Sequence, residues 1–285
     1  MLTTKISNYL DLIRIKKPIG ILLLLWPTLW GIWLASDGHP QLHIVLIFVS
    51  GVFLMRSAGC IVNDIADRNF DKLVERTRER PITSGKISVT QASILLAILL
   101  GMALSLVLFL NPFTILLSFA GLIFACTYPW LKRVTHLPQL GLGICFSWGI
   151  PMAFAAQNNF ISTGGWLVFL AAIIWPVIYD TQYALVDRND DETIGVKSTA
   201  ILFGKYNHVL ISLLQMVFLL SLIAVGKHFQ LASSFYISLI LAGILFIYQF
   251  WLLHTGMRKN YFKAFLNNNW VGMIIFIGII LGLYQ

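Results

Sequence analysis

Asn63, Asp67 and Asp71 recur at every fourth position in the stretch MRSAGCIVNDIADRNFDKLVERTRERP at 55–81, with Asp64 one step out of phase. On a helix, that spacing forms one sloping face of oxygen ligands. Carboxylates this close repel one another, and a hard cation such as Mg²⁺ relieves the repulsion. A shorter set follows about 120 residues later, Asp187 and Asp191 in VDRNDDE. Arg76, Arg78, Arg80, Lys132 and Arg133 add positive charge beside the acids. A metal alone has no need of the bases, and an anion alone has no need of the acids. Together they are the parts that hold a magnesium diphosphate. Alternating acids and bases are common on exposed helices, so the run in isolation proves little. What sets it apart is its place, because each acidic set begins where an apolar run ends.

The elements that must carry these residues are set by composition. Of 285 residues, 58% are apolar and 11% are charged, against about 25% charged in a soluble domain. The sequence therefore predicts an all-α, polytopic membrane protein. Apolar runs near the ~20 residues that span a bilayer lie at about 19–36, 42–62, 90–110, 112–130, 139–158, 163–183, 208–226, 233–254 and 266–284. They are continuously apolar and not alternating, which suits helices and not a β-barrel. Asn111-Pro112 reads as a tight turn between the third and fourth, since proline cannot continue a helix. The expectation is one domain over 1–285, with nine transmembrane helices around a central cavity and motif loops at about 63–89 and 184–207. The opening MLTTKISNYLDLIRIKKP lacks the layout of a cleaved signal peptide.

Orientation follows from Lys and Arg. In this register one side carries Lys5, Arg14, Lys16, Lys17 and the bases of the loops after helices 2, 4, 6 and 8. Those are eighteen of the 20 Lys and Arg residues; Lys227 alone falls on the other side and Arg56 within helix 2. The N-terminus and both acidic sets are therefore expected on the cytoplasmic side. Arg56 precedes Asn63 by seven residues, as Asp180 precedes Asp187, placing each charge roughly 10 Å deeper in the membrane. Ionisable groups at such depth need a partner or a function. Pairing of Arg56 with Asp180 across a shared cavity and separate bonds to local backbone or water both fit.

NDIADRNFD at 63–71 and Asp187 to Asp191 match the NDxxDxxxD and DxxxD patterns of UbiA-type intramembrane aromatic prenyltransferases, and Tyr128-Pro-Trp-Leu-Lys132 fits that superfamily's YxxxK element. The resemblance covers essentially the whole chain. The segments YDTQYALVDRNDDETIGVKSTAILFG at 179–204 and LKRVTHLPQ at 131–139 are similar to the bacterial enzymes of ubiquinone synthesis that prenylate 4-hydroxybenzoate. What the resemblance implies is Mg²⁺ dependence, a long polyprenyl diphosphate donor, alkylation of a ring carbon ortho to the hydroxyl, and residence in the bacterial inner membrane with the site facing the cytoplasm. It also implies Asn63, Asp67 and Asp71 on one Mg²⁺ and Asp187 and Asp191 on another. Arg76, Tyr128 and Lys132 are the candidates for the diphosphate. Asp191 is a candidate base for the phenol proton. Arg133 or Arg56 would meet the acceptor's carboxylate, with Arg133 favoured because its segment is typical of these enzymes.

Other classes fit less well. The net charge of +8 sits at membrane exits and does not suggest nucleic acid. No GxxxxGK[ST], GxGxxG or HExxH occurs, and no obligate protein partner is evident. Cys60, Cys126 and Cys145 read as unpaired thiols packed as small hydrophobes. Trp26, Trp30 and Trp33 read as packing and interface anchors. A transporter would place acids near the midplane of several helices, whereas here they crowd at one surface. Related prenyltransferases acting on a dihydroxynaphthoate, a homogentisate or a haem remain open alternatives.

Overall fold

The computed structural model describes residues 2–284, with side chains from Ile6 onward, and these residues form helices and no strand. In chain order they are α1 (Leu2–Leu12), α2 (Ile19–Ala35), α3 (Leu42–Asp67), α4 (Val89–Val107), α5 (Pro112–Val134), α6 (Pro138–Ser147) and α7 (Gly149–Asn158). There follow α8 (Thr163–Ile194), α9 (Thr199–Phe203), α10 (Asn207–His228), α11 (Ser233–His254) and α12 (Arg258–Leu283). The side chain of Lys5, one of the inner-side charges, lies outside the described residues. Eight helical stretches are long and apolar enough to cross a membrane, with α6–α7 acting as one and α9–α10 as one. The remaining expected span, α2, has 17 residues and a length of about 25 Å, at the lower end of what spans a bilayer. The protein is a multi-pass membrane protein.

Local chemistry explains the punctuation. Asn111 caps α5 by accepting from the Thr114 N–H at 2.9 Å, and its Nδ2 donates to the Ala155 carbonyl at 2.7 Å. Pro112 takes the first turn of α5, where its missing N–H costs nothing. Ser88 and Gln91 form a capping box that starts α4. The span at 138–158 is interrupted at Trp148. Pro151 has no N–H for the Ser147 carbonyl, so the ladder breaks there. The Trp148 indole instead donates across to the Leu117 carbonyl at 2.8 Å.

Two helices run past the limits their apolar runs suggested. Helix α8 has 32 residues, about 48 Å, while the hydrocarbon core is about 30 Å. Its last turns, which carry Asp187 and Asp191, extend beyond the apolar run at 163–183, and the last turns of α3 carry Asn63 and Asp67 beyond the run at 42–62. Helix α1 and the early start of α12 at Arg258 lie outside the apolar runs at 19–36 and 266–284. Of the cysteines, Cys60 is buried, but Cys126 is exposed on α5, against the expectation of buried thiols; none is paired.

The core gathers on α2, α8 and α10–α12. Trp30 sits 5.2 Å from Trp175, which stacks on Phe218 at 6.3 Å. Gly143 lets α6 reach α8: a Cβ there would lie 2.5 Å from the Ile173 carbonyl. Behind α8 lies an amide network of the buried Gln182, Gln215, Gln249 and Asn268, with the half-buried Asn267 at its edge. Gln249 Oε1 accepts from Gln182 and Gln215, each at 2.8 Å, and its Nε2 donates to Asn267 at 2.9 Å. Asn268 bonds both Gln182 and the Trp175 indole. The network locks the rotation of α8 against α10, α11 and α12. Gln249→Leu strands two buried donors, at about 1–2 kcal/mol after allowing for the modest worth of hydrogen bonds in membranes. The thermal midpoint in detergent should fall by several degrees, while Ile244→Leu on the exposed face of α11 should not move it. Equal midpoints for the two variants would show that the network adds no stability.

By contrast, α4 buries only Ala92, Leu99 and Val107, and α5 only Thr114 and Pro129. Their other apolar side chains face lipid or the cavity described next.

Candidate active site

A cavity of about 1380 Å³ opens among α2, α3, α4, α5, α6 and α8. Asn63, Asp67 and Asp71 line it together with Asp187 and Asp191, and so do Arg56, Arg76, Tyr128 and Lys132. The two acidic sets, far apart in sequence, share one mouth. The expected single helical face is slightly different in detail. Helix α3 ends at Asp67, and Asp71 sits on the turn beyond, held by its N–H bonding the Asp67 carbonyl at 2.9 Å.

Four of the acids, Asp64, Asp67, Asp71 and Asp187, are matched by bases. Arg76 clasps Asp187, with Nε 3.0 Å from both carboxylate oxygens and Nη2 at 2.5 Å from Oδ2. The Arg76 guanidinium also lies 4.8 Å from the Tyr183 ring centre. Lys132, at the end of α5, pairs with Asp67 Oδ2. Arg80 bridges Asp64 and Asp71 at 3.1 and 2.8 Å, and Arg14 reaches Asp64 at 2.7 Å. Arg14 does so with φ of 56°, a left-handed backbone uncommon outside glycine and turns. Asp64, the acid out of phase, is 1% exposed and satisfied by two arginines. It fastens the chain after α1 to the motif loop. From the sequence, Arg14 counts only as inner-side charge and Arg80 only as positive charge beside the acids. Their acids lie 50 and 16 residues away, which no local pattern reveals. Burial raises the Asp71 carboxyl above its ordinary range, Arg80 opposes this, and Asp67 and Asp64 reinforce it.

Three oxygen donors are left over. Asp67 Oδ1 is buried with no hydrogen-bond partner among the described residues. Asp191 and Asn63 line the cavity with no side-chain partner among the described residues. Among those residues no three His, Cys, Asp or Glu side chains close on one point. Mg²⁺ takes one or two carboxylates and leaves its other positions to phosphate oxygens and water, so the free oxygens of Asp67, Asp191 and Asn63 would fit it. Hard oxygen donors without thiolate or imidazole suit a hard divalent cation such as Mg²⁺.

Arg56 and Asp180 face the same cavity but form no ion pair. Arg56 Nη1 donates to Cys60 Sγ at 3.0 Å, its guanidinium lies 5.8 Å from the Phe146 ring centre, and its buried Nε has no partner. Arg133 is elsewhere. It is exposed, donates to the Ala66 carbonyl at 2.7 Å and stacks 4.3 Å from the Trp130 ring centre. It ties α5 to α3 and is absent from the cavity wall.

Comparison with known proteins agrees with this architecture. The family model described as the UbiA prenyltransferase family matches residues 24–279. The chain is 53% identical to the 4-hydroxybenzoate octaprenyltransferase of Providencia stuartii, over 99% of this chain and 98% of that protein. It is 54% identical to the enzyme of the same name from Aeromonas hydrophila, over 96% and 95% of the two chains. Among solved structures, the apo form of a UbiA homologue from Aeropyrum pernix K1 superposes with a TM-score of 0.79 at 28% identity, covering 91% of this chain and 97% of that one. A UbiA homologue from Archaeoglobus fulgidus, bound to GPP and Mg²⁺, shares the fold with a TM-score of 0.71 at 17% identity, covering 97% and 98%. The acids and bases around one membrane cavity thus occur in a chain that matches the family model and its curated relatives almost end to end, and the protein belongs to the UbiA prenyltransferase family.

Proposed function

We propose that the protein transfers a polyprenyl group from polyprenyl diphosphate to the ring carbon ortho to the hydroxyl of 4-hydroxybenzoate, releasing diphosphate, as a step of ubiquinone biosynthesis. The observation that carries this reading is the convergence of both acidic sets and their bases on one cavity. The names of relatives more than half identical to this chain support the acceptor and a long donor.

Asn63, Asp67 and Asp71 would hold one Mg²⁺, and Asp187 and Asp191 another. When bound, the metal supplies Lewis-acid neutralisation of the charge that builds on diphosphate as the C–O bond breaks. Arg76, Lys132 and Tyr128 hold the diphosphate itself. The allylic carbon then bonds to the acceptor's ring carbon, and the ring loses its proton. Loss of the phenol proton raises electron density at the attacking carbon, and Asp191, free of a protein cation, is the proposed base. The apolar walls from α3, α4 and α5 keep water from the cation and accommodate the isoprenoid tail. Arg56, being on the cavity wall, takes the acceptor's carboxylate in preference to Arg133.

The bias of Lys and Arg supports a cytoplasmic N-terminus and a site facing the cytoplasm in the bacterial inner membrane. No protein partner is required. The test uses membranes containing the protein, Mg²⁺, radiolabelled 4-hydroxybenzoate and polyprenyl diphosphates of several lengths. A labelled lipid-soluble product that disappears on chelation is the expected result. Absence of product with every donor, from folded protein, would reject the assignment.

A further inference from the structure

We propose that the Tyr179 hydroxyl is a second donor, beside Arg56, to the carboxylate of the aromatic acceptor, and so determines selectivity for acceptors that carry one. The inference rests on the acceptor class proposed above. Tyr179 lies on α8 and is 2% exposed, yet it lines the cavity. Its ring is fixed by Trp175 at 5.3 Å, Phe265 at 6.2 Å and Phe146 at 6.4 Å. Its hydroxyl is buried with no hydrogen-bond partner among the described residues, as is Arg56 Nε. Buried hydroxyls in folded proteins are nearly always partnered, and an unpartnered one is destabilising.

The two orphan donors share a neighbourhood. The Phe146 ring is a neighbour of both, with its centre 5.8 Å from the Arg56 guanidinium. They also share a depth: Tyr179 is eight residues below Asp187, about 12 Å, and Arg56 seven below Asn63, about 10 Å. A cation and a neutral donor beside an aromatic wall, beneath a diphosphate site, match an arylcarboxylate bound with its carboxylate inward and its phenol end toward the mouth. The phenolic O–H of tyrosine adds one directed hydrogen bond without adding charge.

The test is Tyr179→Phe in the full-length protein, compared with wild type in the same membranes. The KM for 4-hydroxybenzoate is expected to rise about tenfold or more, the scale of a hydrogen bond to a charged group. The rate at saturating acceptor, the KM for the donor and the half-saturating Mg²⁺ should change far less. The preference for 4-hydroxybenzoate over its methyl ester should shrink by a similar factor. Because the hydroxyl has no partner in the empty protein, Y179F should melt no lower than wild type in detergent, while the acceptor-induced shift in melting should diminish. An unchanged acceptor KM, or a loss of rate together with a lower melting point, would overturn the inference while wild-type transfer left the enzymatic assignment standing. If wild type itself made no product, the assignment above would fail first.

Discussion

Asp67→Asn should reduce prenyl transfer by about a thousandfold, the upper range for removing one group that stabilises developing charge. Asparagine keeps the shape of the side chain and loses its charge. The free Oδ1 loses its affinity for a cation, and Lys132 loses its only ion-pair partner among the described residues. Excess Mg²⁺ should recover only part of the lost rate, because Lys132 remains uncompensated. The measurement is the initial rate across a Mg²⁺ titration, with equal protein in the membranes confirmed beforehand. A variant retaining a tenth of wild-type rate would remove Asp67 from the charge-bearing machinery.

The second large effect separates two arginines that sequence alone ranked the other way. Arg56→Ala is expected to raise the KM for 4-hydroxybenzoate about a hundredfold, since it removes a half-buried cation from an anionic ligand. The donor's KM should stay near wild type. Arg133→Ala should leave the acceptor KM within about twofold, because its guanidinium is off the cavity wall, bonded to the Ala66 carbonyl and stacked on Trp130. Steady-state kinetics with each substrate varied in turn distinguishes them. The reverse pattern would move the acceptor's carboxylate to the α5 end of the site.

Much of the architecture was legible because lipid imposes a simple rule on sequence. Continuous apolar stretches announce the helices, and Asn111-Pro112 announces the turn between α4 and α5. Acids at every fourth position in an apolar chain point to residues that line one cavity mouth. Where apolarity ceases, so does legibility. Helices α3 and α8 continue past their apolar runs into polar sequence, and α1 is too short and too polar to register as a span. The break at Trp148 is written in Pro151, but only after the helix containing it is known. The matching of Arg76 to Asp187, Lys132 to Asp67 and Arg80 to Asp64 and Asp71 was not readable. Any of several bases suited any of the acids, and only the packing of α3, α5 and α8 chooses. Arg133 shows the same limit, since the sequence places a cation at the end of α5 but does not say which face of the helix it occupies, and its side chain lies off the cavity wall.

The central claim is that the two acidic sets grip one magnesium diphosphate between them. Calorimetric titration of inorganic diphosphate into the purified protein tests it without requiring either organic substrate. Binding should appear only when Mg²⁺ is present and should be lost in Asp67→Asn and in Asp187→Asn alike. Binding that is indifferent to Mg²⁺, or that survives either substitution undiminished, would mean that the sets do not share a ligand.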